Sequence, residues 1–456
     1  MPKRDRSRKI SLSTTQIILL SFLAVIGLGS GLLALPVSAA DGVGVAYVDA
    51  LFTATTAVCV TGLTVLPTVS AWSVFGQTVI LLLVQIGGLG VITILSGMMI
   101  ALQRRIDIGT RVLIQDAFNL NGLSGIVRFV KRVLLGTLTA EAAGAVLYML
   151  AFVPRFGAKG IWMAVFTAVS AFCNAGLDIF GEQSLCAFGT DPLVCGTTCA
   201  LVILGGLGFP VWWDVLRICR HGRGRGLRRL RELSLHSKIA LSVTAALLAA
   251  GTAAFFVLER TNPQTLAPHS LFDQLQLAFF QSVTTRTAGF YTLPQQDLTN
   301  ASAFVSLLLM FIGGSPAGTA GGIKTVTAAV LTAYTLSMVH GKNEVGLWGR
   351  SITRQTLSKA VAVTAVSFAT VFFSTVLLAA VTDAPALDIL YETVSAAATV
   401  GLTRNLTPQL TVWGKLIVTC TMYLGRVGPI SLAVAFGTGK AAPNIIRNPI
   451  EDISVG

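Results

Sequence analysis

The chain has 456 residues, 53% of them hydrophobic and only 12% charged, with a mean hydropathy of +0.75. An ordinary soluble domain carries about 25% charged residues, so this composition excludes a soluble globular fold and points to a multi-pass membrane protein. The net charge of +13 does not signal nucleic-acid binding: 25 of the 33 Lys and Arg fall in the tails and basic linkers of one predicted side, which carries +17 against −5 opposite, the positive-inside pattern.

A basic tail over 1–14 precedes the first apolar run, Ile18 to Pro36. That run is long enough to span a bilayer and similar runs recur to the end, so it reads as a retained transmembrane helix and not a signal peptide. Four repeats follow, each a helix, a re-entrant segment and a second helix. Repeat 1 covers 15–110 with a pore loop at 50–65, and a linker runs over 111–132. Repeat 2 covers 133–217 with its pore loop at 164–179, followed by a basic linker over 218–237. Repeat 3 covers 238–340, with a pore loop at 277–292 and a glycine-rich run at 313–322; a linker occupies 341–356. Repeat 4 covers 357–437 with its pore loop at 389–404, and 438–456 forms the C-terminal tail. First helices are expected near 15–36, 133–153, 238–258 and 357–381, and second helices near 73–101, 192–217, 302–340 and 408–437. The chain returns to the basic side after every repeat, which places both termini there. The fold class is an all-α membrane protein with eight transmembrane helices and pseudo-fourfold symmetry around one pore.

The repetition rests on paired landmarks. An aromatic residue stands ten positions before a glycine in each pore loop: Phe52/Gly62, Phe166/Gly176, Phe279/Gly289 and Tyr391/Gly401. A second landmark follows at Gly87-Gly88, Gly205-Gly206, Gly313-Gly314 and Gly425-Arg426. Four such pairs in one register indicate internal duplication. Each loop is too short to span a core about 30 Å thick. Non-helical backbone at membrane depth is tolerated only when buried in protein or lining water. The four loops should therefore meet around a shared aqueous path.

A protein that passes a dehydrated monovalent cation must replace its water oxygens, and rings of backbone carbonyls do this without fixed charge. Pointing successive carbonyls at one axis needs backbone angles that glycine adopts without steric cost. The expected ring is Val60-Thr61-Gly62, Asn174-Ala175-Gly176, Thr287-Ala288-Gly289 and Thr399-Val400-Gly401. Asp49, Asp178, Asp273, Asp297, Asp388 and Glu392 flank it on the outer side and would raise the local cation concentration. Gly313-Gly314-Ser315-Pro316-Ala317-Gly318-Thr319-Ala320-Gly321-Gly322 holds five glycines and a proline, so it cannot stay helical. Arg426 replaces a landmark glycine in mid-helix, where facing lipid is too costly, and so marks a pathway or a pairing. Lys324 reads as a helix residue near the cytosolic mouth, and Glu141 as paired with a polar neighbour between helices. Of seven cysteines, Cys186 and Cys195 share a predicted outer loop and could pair. No CxxC, Cys/His metal spacing, HExxH or GxSxG occurs, and none of the four histidines lies in a predicted span, which argues against an enzyme.

The four loops, the run from Gly313 to Lys324 and Gly425-Arg426-Val427-Gly428-Pro429 resemble the TrkH/TrkG/KtrB superfamily of potassium transporters over nearly the whole chain. The length, without extra N-terminal helices, is closer to the KtrB branch. The resemblance implies potassium at the carbonyl ring and a gate made by the loop 313–322; the charge and five donors of Arg426 are expected to oppose a cation beside that loop and to hold its carbonyls. It further implies homodimers in the bacterial plasma membrane, surrounded by lipid, with sodium-dependent uptake. It places nucleotide on a cytosolic regulatory ring of the KtrA kind, and no cofactor on this chain. No loop carries the TVGYG of tetrameric potassium channels, so modest selectivity over sodium is expected. The competing reading is a secondary transporter of another monovalent cation, a class that often uses inverted repeats; here all four repeats keep one orientation.

Overall fold

The computed structural model describes residues 13–102, 108–118, 125–181, 183–221, 231–342 and 344–428. Nearly all of the basic tail, residues 222–230 of the basic linker, the end of the fourth second helix and the C-terminal tail lie outside the described residues. Four long helices, α1 (Thr14–Leu33), α7 (Ile126–Phe156), α11 (Leu235–Glu259) and α15 (Arg354–Ala379), are long and apolar enough to cross a membrane. Each leads to a shorter helix: α2 (Tyr47–Cys59), α8 (Lys159–Cys173), α12 (Leu271–Thr284) and α16 (Ala386–Ala398). A single turn, α3 (Thr68–Ala71), follows the first of these. Among the described residues the one strand pairing is the hairpin Gly346–Leu347 with Arg350–Ser351. The fold is therefore helical throughout, and it is built inside out for lipid. Large apolar side chains such as Leu28, Val257 and Phe368 face outward, while the short helices form the core.

The second helix of each repeat starts on a side-chain cap, Ser73, Asp191, Thr299 or Thr411, whose oxygen accepts a backbone N–H of the first turn. None of the four runs unbroken. Helix α4 (Val74–Leu89) gives way to α5 (Val91–Ala101) at a 95° bend, and α9 (Pro192–Leu207) to α10 (Phe209–His221) at 98°. The hinges are Gly90 and Gly208, with φ of 84° and 86°, and Gly428 ends α17 (Val412–Val427) with φ of 89°. A left-handed residue cannot continue a right-handed helix, which corrects the continuous second helices expected from hydropathy. Each hinge lies two residues beyond the second landmark. In repeat 3 that place holds Pro316, and the helix opens into a loop between α13 (Asn300–Phe311) and α14 (Thr325–Val339). Helix α6 (Ile108–Phe118) adds a segment that packs beside α1, α5 and α7.

The landmark glycines have a steric cause. A Cβ on Gly87, Gly205 or Gly425 would collide with the carbonyl of Val58, Phe172 or Ala397, at the end of the short helix of its own repeat. The second helix thus lies directly against the backbone of the short one. The aromatic landmark needs one correction. Phe52, Phe166 and Tyr391 are fully buried, but in repeat 3 the buried ring is Phe280, at 2% exposure, while Phe279 is 38% exposed. Repeat 3 is one residue shorter between aromatic and glycine, so counting back from the glycine selected the wrong neighbour. The ion pair of Lys415 with Asp49, at 2.6 Å, joins α17 to α2 and closes repeat 4 onto repeat 1.

Gly205→Ala should therefore cost about 2 kcal/mol through overpacking against backbone and lower the melting temperature in detergent. Gly196→Ala, in the same helix with no atom within 4 Å of the added carbon, should melt no lower than the parent. Equal melting of both variants would show that the backbone contact at Gly205 is slack.

Candidate functional site

The loops after the short helices share an unusual backbone. Val60, Asn174, Thr287 and Thr399 have φ of 56°, 59°, 71° and 51°, and the glycine two residues on has φ of 96°, 65°, 81° and 94°. Left-handed conformations cost a non-glycine residue about 1–2 kcal/mol, most for the β-branched Val60, Thr287 and Thr399. Such strain recurs at functional sites. The residue between the two left-handed ones turns its carbonyl toward the next repeat. The oxygens of Ala175, Ala288, Val400 and Thr61 come within 2.7 Å of where a Cβ on Gly62, Gly176, Gly289 and Gly401 would stand. These contacts run once around a single axis. The twelve loop residues singled out from sequence are thus in one place, all buried.

Hydroxyls hold the loops from behind. Gly62 N–H donates to Thr56 Oγ1 and Gly401 N–H to Ser395 Oγ, both at 3.0 Å. Ser170 Oγ donates to Leu177 O at 2.6 Å, and Thr284 Oγ1 to Phe290 O. Each of these residues stands four after the buried aromatic, a regularity that appears in the sequence only once Phe280 replaces Phe279. Three loops close with a backbone bond from i to i−5, at Thr61, Ala175 and Val400, whereas Ala288 N–H reaches Thr284 O at i−4. The third loop is the odd one.

Above the glycines lies a cavity of about 380 Å³ lined by all four of them, with Asp178, Tyr291 and Thr403 among its walls. Of the six outer acids, only Asp178 lines it. Asp49 and Asp388 are paired with Lys415 and Arg404, at 2.6 and 2.7 Å. Glu392 is fully buried and accepts from Thr403 Oγ1 at 2.6 Å and Thr407 Oγ1 at 2.5 Å. Asp178 accepts from Phe180 N–H at 3.2 Å, and of the six expected acids it is the one that borders the cavity. Among the described residues no group of three or more His, Cys, Asp or Glu converges, so carbonyl and hydroxyl oxygens are the cation ligands this centre offers.

Below the ring, the loop 313–322 lies across the middle of the four repeats. Ser315 and Thr319 N–H donate to Gly206 and Gly205 O, at 2.8 and 3.1 Å, and Phe209 N–H donates back to Ala317 O at 3.0 Å. Gly321 N–H donates to Thr287 Oγ1 at 3.2 Å. Arg426 donates from Nη1 to Thr319 O and from Nη2 to Gly87 O, both at 2.6 Å, joining the loop to repeats 1 and 4. It stands in the last turn of α17 beside the Gly428 break, and not in mid-helix as the hydropathy pattern suggested. Lys324, the residue before α14, donates from its ammonium to Ala320 O at 2.5 Å and Gly321 O at 3.4 Å. A buried cation that no sequence signal singled out is Arg286. Arg286 is 7% exposed and sits within the third ring loop. Glu141 accepts from Gln85 Nε2 at 3.2 Å, a polar pairing between helices. Cys186 and Cys195 are free thiols, not a bridge.

The family described as TrkH: Cation transport protein matches residues 3–443. The chain is 38% identical to the potassium/sodium uptake protein NtpJ of Enterococcus hirae, covering all of this chain and 99% of that one. It is 37% identical to the Ktr system potassium uptake protein B of Bacillus subtilis (97% and 96% covered) and 36% to that of Vibrio alginolyticus (100% and 97%). The crystal structure of the potassium transporter TrkH from Vibrio parahaemolyticus has the same fold, with a TM-score of 0.75 at 17% identity over 96% of this chain and 87% of that one.

Thr56→Val and Ser395→Ala each strip the acceptor from a buried glycine N–H, at an expected cost of about 1–3 kcal/mol. Thermal melting should separate them from Thr139→Val, whose hydroxyl only returns to Leu135 O on an exposed helix face. Melting of all three at one temperature would show that the hydroxyls do not hold the loops.

Proposed function

The chain belongs to the TrkH cation transport protein family, and on that premise we propose that it takes up potassium through the carbonyl ring and is gated by the loop beneath. At the coarser level it is a potassium, or sodium and potassium, uptake transporter of the multi-pass membrane class; its relatives are ion transporters and not enzymes. One observation carries the finer reading: the four left-handed loops close into one cycle, each setting a carbonyl against the glycine of the neighbouring loop. Such a ring offers a dehydrated cation uncharged oxygens at fixed positions, while Asp178 draws cations to the vestibule. With few constrained carbonyls per loop, discrimination against sodium is modest, in keeping with the dual naming of the Enterococcus relative.

The loop 313–322 closes the path below. Arg426 contributes doubly: its fork ties Thr319 and Gly87, and its charge repels a cation strongly where the dielectric is low. The relatives named for a Ktr system support a cytosolic partner. We place there a nucleotide-binding ring that releases the loop, acting on a homodimer of this chain in the bacterial plasma membrane with both termini inside. Sodium dependence of uptake belongs to the same proposal.

Gly62→Ala and Gly289→Ala should each weaken potassium affinity by about tenfold, the equivalent of 1.4 kcal/mol, while the protein still assembles; unchanged uptake kinetics in both would remove the ring from the ion path. In liposomes without the partner, Arg426→Ala should leak, and Arg426→Lys should leak less because it keeps the charge. An assembled Arg426→Ala protein that conducts no better than the parent would exclude this arginine from the gate.

A further inference from the structure

The loop below the ring is a closed loop with a narrow neck. Its two ends come together where Ile323 N–H donates to Phe311 O at 3.0 Å and Ile312 bridges Ile323 in parallel. A Cβ on Gly313 would collide with Gly321 O. Both sides of that neck are tied to the same strand of the carbonyl ring. On one side Arg286 Nη2 donates to Gly313 O at 3.2 Å, and also to Thr244 Oγ1 on α11 at 3.4 Å. On the other side Gly321 N–H donates to Thr287 Oγ1 at 3.2 Å. Arg286 and Thr287 are consecutive, and Thr287 is the left-handed residue of the third loop, with φ of 71°.

The other three loops lack this connection. The residue before the left-handed position is Cys59, Cys173 or Ala398, too short to reach beyond its own surroundings. Only the third loop carries a long cation there, and only the third is a residue shorter behind its glycine. Burying a guanidinium without a carboxylate is expensive, and the four ion pairs among the described residues do not include Arg286. Its Nε has no hydrogen-bond partner. Among the described residues the carbonyl of Gly313 is thus one of two acceptors on this charge. Moving the neck would leave the cation poorer by a bond, and rotating the arginine would pull on the backbone of the ring.

We propose that Arg286 is a positioning residue that pins the neck of the loop to the third strand of the carbonyl ring, so that ring geometry and loop position are energetically coupled. The inference rests on the reading of the loop as a gate. Coupling of this kind is reciprocal: a cation seated in the ring stabilises one loop position, and the loop position alters how well the ring fits a cation. The middle of the loop, held by Arg426 at Thr319, swings, while the neck transmits.

The test measures two quantities on each assembled variant in liposomes without a partner: resting rubidium flux, and the potassium-to-sodium preference from bi-ionic competition. Arg286→Gln keeps a donor but loses the charge and the fork; it should lower the preference roughly fivefold, the scale of one lost buried hydrogen bond, and also raise resting flux. Thr287→Val, which cuts the other tie, should move both quantities in the same direction. Arg286→Lys, expected to be the safer folder, should shift both by less. A change in preference alone, in flux alone or in neither overturns the coupling. Arg426→Ala run in parallel separates the two readings. If it leaks while Arg286→Gln leaves either quantity at the parent value, the gate stands and the coupling falls. If it does not leak, the gate assignment of Arg426 falls, and the paired shifts in the Arg286 variants still decide the coupling.

Discussion

The structure depends on backbone lying against backbone at membrane depth. A bilayer interior cannot hydrate exposed peptide groups, so the loops at the centre must be buried by other backbone, closely and without side chains between. Two glycines in each of repeats 1, 2 and 4 allow this. One lets the second helix lie against the end of the short helix, as Gly87 does against Val58. The other lets a neighbouring carbonyl reach the axis, as Gly62 does for Ala175. Remove the first contact and the short helix loses its backing; remove the second and the ring cannot close. The strain of four left-handed non-glycine residues persists because the surrounding packing overdetermines them.

The loop under the ring meets the same constraint with different means. It has too many free peptide groups to be covered by packing, so it is covered by donors and acceptors from all four repeats. Repeat 2 contributes the carbonyls exposed by its own helix break, at Gly205 and Gly206. Repeat 1 shares Gly87 O with the arginine of repeat 4, which also holds Thr319 O. Three cations, Arg286, Lys324 and Arg426, all terminate on carbonyls and not on carboxylates. That choice bears on ion conduction. A carboxylate counter-charge would create a trap for a passing cation, whereas a carbonyl satisfies the donor and leaves the net charge repulsive. On the proposed reading of the loop as a gate, this positive charge lies beneath the cation path and favours the closed state.

Symmetry is broken where function is added. Repeats 1, 2 and 4 reach their hinge with a glycine, but repeat 3 has Pro316 there and an extended loop instead. The same repeat has the shortened ring loop and the buried Arg286 within it. These departures fall along one continuous path from ring to loop, which a duplicated ancestor with four equal repeats would lack. The outer surface departs from symmetry too: Asp49 pairs across repeats with Lys415, Asp388 and Glu392 are held within repeat 4, and Asp178 is the one of the six acids that lines the vestibule.

The sequence by itself determined the membrane class and the helical fold, and it singled out the twelve loop residues that lie together in the structure, because hydrophobic length and the spacing of obligatory glycines are local properties that survive without coordinates. It also singled out the loop 313–322 and Arg426, since glycine density and a charge inside an apolar run are conspicuous in one dimension. It did not reveal the turns at Gly90, Gly208 and Gly428, because glycines are tolerated in an apolar helix and only φ distinguishes the one that ends it. It misjudged Phe279 against Phe280, adjacent and alike, because burial and not identity separates them. Arg286 was not singled out, because its partners, Thr244 and Gly313, lie far away in the chain. Whether a charge meets water, a carboxylate or the carbonyl of a distant loop is decided only when the repeats close around one axis.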